Sequence, residues 1–267
     1  MKRAGKLSLA ILLIIALLSI FAPVLRTYDP DRIDLNSLKE PPSLQHLFGT
    51  DNKGRDIFSR ILYGGRISIG ISLTAGCLSM GIGLLIGICS GYFGGKVDTL
   101  LMAFVDLILS FPSLLLAIGI SIVLPPGIFT VTIAIIAVGW GSFARLVRGQ
   151  ILTLRESQYV DAARAIGCSN LRILFLHLMP QCIPILLVMT SLKIGGYLIT
   201  EASLSFLGLG AQPPTATWGS MINANRVYLS SAPWTIIFPG CVIAITAFCF
   251  NILGDALRDK YGFKIRE

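Results

Sequence analysis

Six long stretches of this chain carry almost no charge, and nothing else in the sequence limits its fold so strongly. Residues 7–25, 67–89, 128–144 and 233–254 contain no Asp, Glu, Lys or Arg; residues 99–124 contain only Asp106, and residues 182–207 only Lys193 and Glu201. A helical run of about 17 to 25 apolar residues crosses a hydrocarbon layer of about 30 Å, and in lipid the backbone N–H and C=O groups of such a run are satisfied within the helix itself. The expectation is an all-α integral membrane protein with six transmembrane helices. Composition agrees: 13% of the residues are charged, about half of what a soluble domain carries, so most of the chain belongs in lipid. A net charge of +8 is compatible with nucleic acid, but the basic residues flank apolar runs and no aromatic-basic recognition pattern accompanies them. Membrane lipid, not nucleic acid, is the expected surrounding.

Charge distribution sets the orientation. The chain opens with Lys2, Arg3 and Lys6 and no acid before its first apolar run. A cleaved signal peptide also starts this way, but a run of about 19 residues is too long for its apolar region and no A-x-A site follows, so a retained first span is expected. Thirteen basic residues then fall on the side of the N-terminus and eight on the other, which places both termini in the cytoplasm. Residues 26–66 mix seven basic with six acidic residues and are too polar to span, giving an expected division into an N-terminal span with an outer segment (1–66) and a five-helix core (67–267). Gly83, Gly87 and Gly91 recur every four residues in the second span, the spacing that lets helices approach closely in lipid. The six cysteines show no C-x-x-C pair and read as small buried side chains, not as a disulfide framework or metal ligands.

One polar stretch, residues 155–184, interrupts the C-terminal two thirds and still has helical composition, with Ala, Arg and Leu dominant and no Pro before Pro180. Gly167 followed by Cys168, Ser169 and Asn170 predicts a helix C-cap, a corner and the N-cap of a second helix. Asp161, Ala162, Ala163, Gly167 and Pro180 fall at the spacings of the Glu-Ala-Ala loop of permease subunits of ABC importers, and the stretch resembles that loop with Asp161 in place of its Glu. His177 and Met179 stand at positions where the peptide and nickel branch of the family carries similar departures. Two further phrases resemble the same branch, second-permease type: HLFGTDNKGRDIFSRILYGGRISIG over residues 46–70, and EASLSFLGLGAQPPTATWG from Glu201, including Pro213, Pro214 and Trp218.

The resemblance implies a cytoplasmic helix-turn-helix coupling loop that docks on an ATPase through Asp161, Ala162, Ala163, Gly167 and Pro180. It implies a homologous second permease forming a heterodimer, two ATP-binding subunits and an extracytoplasmic substrate-binding protein, in a bacterial or archaeal cytoplasmic membrane. Pro213, Pro214 and Trp218 would then face the binding protein. Di- or oligopeptides are the implied cargo, with nickel or a metal chelate as the alternative. No G-x-x-x-x-G-K phosphate loop, G-x-S-x-G or H-E-x-x-H occurs, so no catalytic residue, cofactor or resident metal is expected, and nucleotide chemistry would sit on another chain. His46 and His177, the only histidines, are on opposite sides of the expected topology and read as surface hydrogen-bonding residues. The readings from other classes are a membrane-embedded hydrolase, for which no nucleophile and base face each other, and a self-contained channel or carrier, for which no inverted repeat is visible.

Asp106, Lys193 and Glu201 are the ionisable groups within the spans, and such groups face a cavity or one another. Depths of roughly 10 and 16 Å from the cytoplasmic ends of their helices allow Asp106 and Lys193 to meet. The expectation is that Asp106 holds Lys193 on the translocation path and that Glu201 belongs to the outer gate; pairing of these charges with the partner permease is the alternative.

Overall fold

The structure, a computed structural model, describes residues 3–261, and their only extended pairing is an isolated bridge between Thr50 and Asp56. Helix α1 (Arg3–Ile20) is followed by the short α2 (Ala22–Leu25). Pro23 stands in the first turn of α2 and lacks the N–H that would bond back to residue 19, so the first span jogs there. The outer segment then runs without regular structure to Asp56, whose carboxylate caps α3 (Ile57–Phe93) by accepting from the Ser59 N–H at 2.8 Å. Arg60, 4% exposed, donates to the Pro30 carbonyl at 2.7 Å and to Asp31 at 3.0 Å. Helix α3 therefore starts ten residues before the uncharged run suggests, and the expected division after residue 66 falls inside it. Arg60 and Arg66 hide this in the sequence, because charged residues at an outer helix end look the same as a loop.

Helices α4 (Gly95–Ser110) and α5 (Ser113–Val123) replace the third continuous span and meet at 90°. Pro112 supplies no N–H and forces Phe111 into an extended conformation (φ −86°, ψ 142°), which ends α4. Among the described residues, five continuous helices are thus long and apolar enough to cross a bilayer, and the bent pair makes a sixth when taken as one broken span. Helix α6 (Ile128–Leu154) lies along α3. A Cβ on Gly83, Gly87 or Gly91 would come within 3.0 Å of its Trp140, Phe143, Ala144, Val147, Arg148 or Ile151 atoms. Ile88, Phe143, Val147 and Ile151 fill the core beside this seam.

The seam gives a direct test. Gly87→Val would put methyl groups against the Ala144 carbonyl, 2.6 Å from an ideal Cβ, whereas Gly70 has nothing within 4 Å. Overpacking of this kind costs about 1–3 kcal/mol. Gly87→Val should lower the melting temperature of the detergent-purified chain, and Gly70→Val should leave it near wild type.

After α6 come α7 (Gln158–Ala165), the single turn α8 (Asn170–Arg172), a wider π-helical turn over Ile173–Leu178, and α9 (Met179–Phe206). On the outer side, α10 (Trp218–Asn225) leads through a 3₁₀ turn at Arg226–Tyr228 to α11 (Trp234–Tyr261). Helices α9 and α11 pack closely, with Gly195 against the Ala247 carbonyl and Gly254 against Leu192. Helix α1 covers α11 and α3.

Candidate functional site

Three regions hold the residues singled out by sequence: a corner beyond α6, a cavity at the α4–α5 bend, and an outer cap over α9 and α10. At the corner, α7 ends in a paired-bond turn. The Gly167 N–H donates to the Arg164 carbonyl and the Cys168 N–H to the Ala163 carbonyl, both at 3.0 Å, with Gly167 at φ +83°. This left-handed position is the one glycine occupies without a Cβ penalty. Ser169 caps the next turn by accepting from the Arg172 N–H at 3.4 Å. Pro180 falls in the first turn of α9, where a missing N–H is tolerated, and the turn ahead of it widens to i→i+5 bonding.

The corner divides its two alanines. Ala163 is buried with Val160, Ile173 and Leu174, whereas Ala162 and the Asp161–Arg164 ion pair (3.2 Å) face outward, as does Pro180. Ile166 is 80% and Leu171 64% exposed on either side of Gly167, so the tip is apolar. Sequence reasoning passed over these two residues, although a large apolar side chain beside a corner glycine was there to be read. Tyr92 of α3 ties the corner to the spans, donating from its hydroxyl to Asn170 Oδ1 at 2.8 Å.

At the bend, a cavity of about 200 Å³ is lined by Leu109, Phe111, Ile135, Ser142, Lys193 and Thr200, among others. The Lys193 ammonium donates to Ser142 Oγ at 3.3 Å. Asp106 does not hold it: its carboxylate accepts from Arg145 Nη2 at 2.5 Å, and both of those side chains are more than half exposed. The reason lies on α6, where Ser142 and Arg145 are three residues apart and therefore one turn apart on one face. Packing of Val105 against Trp140 and Ala144 sets Asp106 at the level of Arg145, one turn short of the lysine. A second ion pair, not foreseen from sequence, ties three helices together on the side of the Gly167 corner. Arg148 donates from Nε and Nη2 to the two oxygens of Asp98 at 2.6 and 2.7 Å, and Ser90 also donates to Asp98. A two-point guanidinium–carboxylate pair of this geometry fixes orientation as well as distance.

In the outer cap, Glu201 is fully buried. Its Oε1 accepts from Ser205 Oγ at 2.7 Å, and its Oε2 has no hydrogen-bond partner among the described residues. Thr217 and Ser220 form a reciprocal cap at the start of α10, and the Trp218 N–H donates to Ser68 Oγ at 3.2 Å. Trp218 does not lie on the loop surface as expected. It is 1% exposed, its indole N–H donates to the Ile61 carbonyl at 2.9 Å, and Gly64 and Gly65 leave room for the ring. An indole whose N–H finds a buried carbonyl gains more from burial than from an interfacial position. Pro213 and Pro214 are exposed. They border a recess of about 240 Å³ lined also by Lys53, Arg55, Arg60, Gln212 and Asn223. His46 is mostly buried, not on the surface: Nδ1 lies 2.9 Å from Asp56 and the ring 4.7 Å from that of Tyr28. His177 is half-buried in the π-helical turn.

Comparison with known proteins gives the arrangement its context. Residues 83–266 match the family model of the binding-protein-dependent transport system inner membrane component, and residues 2–42 match the N-terminal TM domain of oligopeptide transport permease C. The chain is 43% identical to a putative peptide transport system permease protein of Brucella suis, over 97% of this chain and 87% of that one. It is 42% identical to the oligopeptide transport system permease protein OppC of Bacillus subtilis, over 99% of this chain and 88% of that one. Among solved structures, an inward-facing conformation of the MetNI methionine ABC transporter superposes with a TM-score of 0.61 at 15% identity, over 75% of this chain and 95% of that one, a likeness of fold. With its helical fold, its family match over most of its length and its near-complete alignment to these permeases, the chain belongs to the family of inner membrane components of binding-protein-dependent transport systems.

Proposed function

We propose that this chain is the permease subunit of an ATP-driven importer that moves peptides inward across the cytoplasmic membrane of a bacterium or archaeon. It works beside a homologous second permease, with two separate ATP-binding subunits and an extracytoplasmic binding protein, and performs no hydrolysis itself. The observation that carries this reading is the corner at Gly167: a hydrogen-bonded, apolar-tipped turn held to α3 and continuous with α9. Such a turn can transmit a push from a soluble engine to the spans. Asp161, Ala162, Ala163, Gly167 and Pro180 build that coupling surface, with Ala163 acting from beneath. Lys193 lines the translocation path, Asp106 steadies α4 through Arg145, and Glu201 joins α9 to the outer gate. Pro213 and Pro214 face the binding protein. The peptide cargo follows from the names of the relatives at 43% and 42% identity.

Reconstitution tests it. Proteoliposomes holding both permeases, the ATP-binding subunits and the binding protein should accumulate peptide only with ATP and all components present. Uptake by this chain alone would return it to the carriers. Sidedness is a separate expectation: a thiol label on Asn170→Cys should react only from the cytoplasm and one on Thr215→Cys only from outside. Reaction of both from one face would overturn the topology and the coupling assignment with it.

A further inference from the structure

The cavity at the α4–α5 bend holds a charge without a counter-charge. Lys193 lies midway along α9, about 20 Å from either end at the usual helical rise, and so deep in the membrane. An ammonium there is costly unless an anion faces it. Of its three donors, one is used, on the neutral Ser142 hydroxyl. No acid occurs among the described residues that line the cavity. Asp106 is engaged by Arg145 and Asp98 by Arg148, and Glu201, eight residues along α9, lies about 12 Å away along the helix axis, outside the cavity lining and with its Oε1 bound to Ser205. The remaining walls are mostly apolar, with Ile108, Leu109, Phe111, Ile135 and Leu192 among the lining residues, and Phe111 stands at the break between α4 and α5.

We propose that this cavity is a binding subsite for a carboxylate of the transported solute, with Lys193 as the counter-charge and the apolar wall at Phe111, Leu109 and Ile135 receiving the neighbouring side chain. The volume, about 200 Å³, suits the carboxyl end of a peptide better than a whole one, because pockets that enclose drug-sized ligands run to roughly 300–1,000 Å³. The inference rests on the importer reading for its cargo, but the chemistry of the subsite is defined by the lysine alone. It makes the permease a selective element of the path. A solute without the carboxylate would have to pass an uncompensated ammonium.

The test reads the lysine amine directly. In the assembled complex, modification of Lys193 by an amine-reactive reagent is followed by mass spectrometry with and without saturating trialanine, trialaninamide or acetate. Trialanine and acetate should slow modification about tenfold, the scale of a charge-assisted contact, and trialaninamide should not. Equal modification under all conditions overturns the proposal. So does a lysine that reacts in this chain alone and is refractory in the complex before any carboxylate is added, since an acid of the second permease then holds it. A second readout is the ratio of trialanine to trialaninamide uptake. Lys193→Gln should lower that ratio about tenfold and Lys193→Arg should keep it. Because the binding protein is common to all variants, its own preference cancels in the comparison, and an unchanged ratio in Lys193→Gln overturns the subsite. If wild-type vesicles import neither peptide, the importer reading fails, whereas shielding of Lys193 by acetate still decides the subsite.

Discussion

Gly167→Val is expected to leave the permease inserted and folded but to cut ATP-driven peptide uptake by an order of magnitude or more. The corner glycine sits at φ +83° with nothing within 4 Å of where a Cβ would be, so in this chain the cost of a side chain is conformational, not steric. A β-branched residue held in the left-handed region stores about 1–3 kcal/mol, and the chain relieves it by rotating the turn that carries Ile166 and Leu171. At about 1.4 kcal/mol per factor of ten, that strain is enough to weaken docking of an ATP-binding subunit roughly tenfold to a hundredfold. Uptake, complex recovery and ATP hydrolysis measured together separate weak docking from uncoupled hydrolysis. Asn tolerates the left-handed conformation, so Gly167→Asn distinguishes two causes. If backbone strain is responsible, the Asn variant should retain most of the uptake lost in the Val variant. If close approach of the ATPase is responsible, both should fail. Wild-type uptake and recovery in Gly167→Val would remove the corner from the coupling path.

Trp218→Ala is expected to be the most destabilising single change in the outer cap. Removing a fully buried Trp from a packed core costs about 3–5 kcal/mol, and here it also removes the indole N–H bond to the Ile61 carbonyl. The cap would loosen where α3, α9 and α10 meet, because Gly64 and Gly65 are too small to close the gap. The detergent-solubilised variant should melt well below wild type, and binding-protein docking should fall only in proportion to the folded fraction. A variant that melts normally yet loses docking would restore Trp218 to the partner-facing surface. Substitutions at the exposed Gln212 or Pro213 have the opposite expected profile, with altered docking and little change in melting.

Much of this protein was legible in its sequence, and the legible parts share a physical reason. Apolar length determines what must lie in lipid, so the residue runs anticipated α1, the core of α3, α6, α9 and α11 without any partner information. The Gly167 corner was equally readable, because a helix C-cap and the N-cap after it close through hydrogen bonds spanning three to five residues. The spacing of Gly83, Gly87 and Gly91 announced a close helix seam for the same local reason, although not that α6 would fill it.

What the sequence left open depends on how helices rotate and slide against one another. One residue turns a helix by about 100°, so a depth estimate that put Asp106 near Lys193 could not tell that Arg145 would meet the aspartate and Ser142 the lysine. Pro112 was visible in the third apolar run, but whether a proline kinks a span or breaks it by 90° is set by what supports the freed backbone, here packing of α4 and α5 on α6. Trp218 carries both an apolar ring and a donor, and is suited to either an interface or a core. Only the tertiary structure, by bringing the Ile61 carbonyl and two glycines of α3 beneath it, turned it inward.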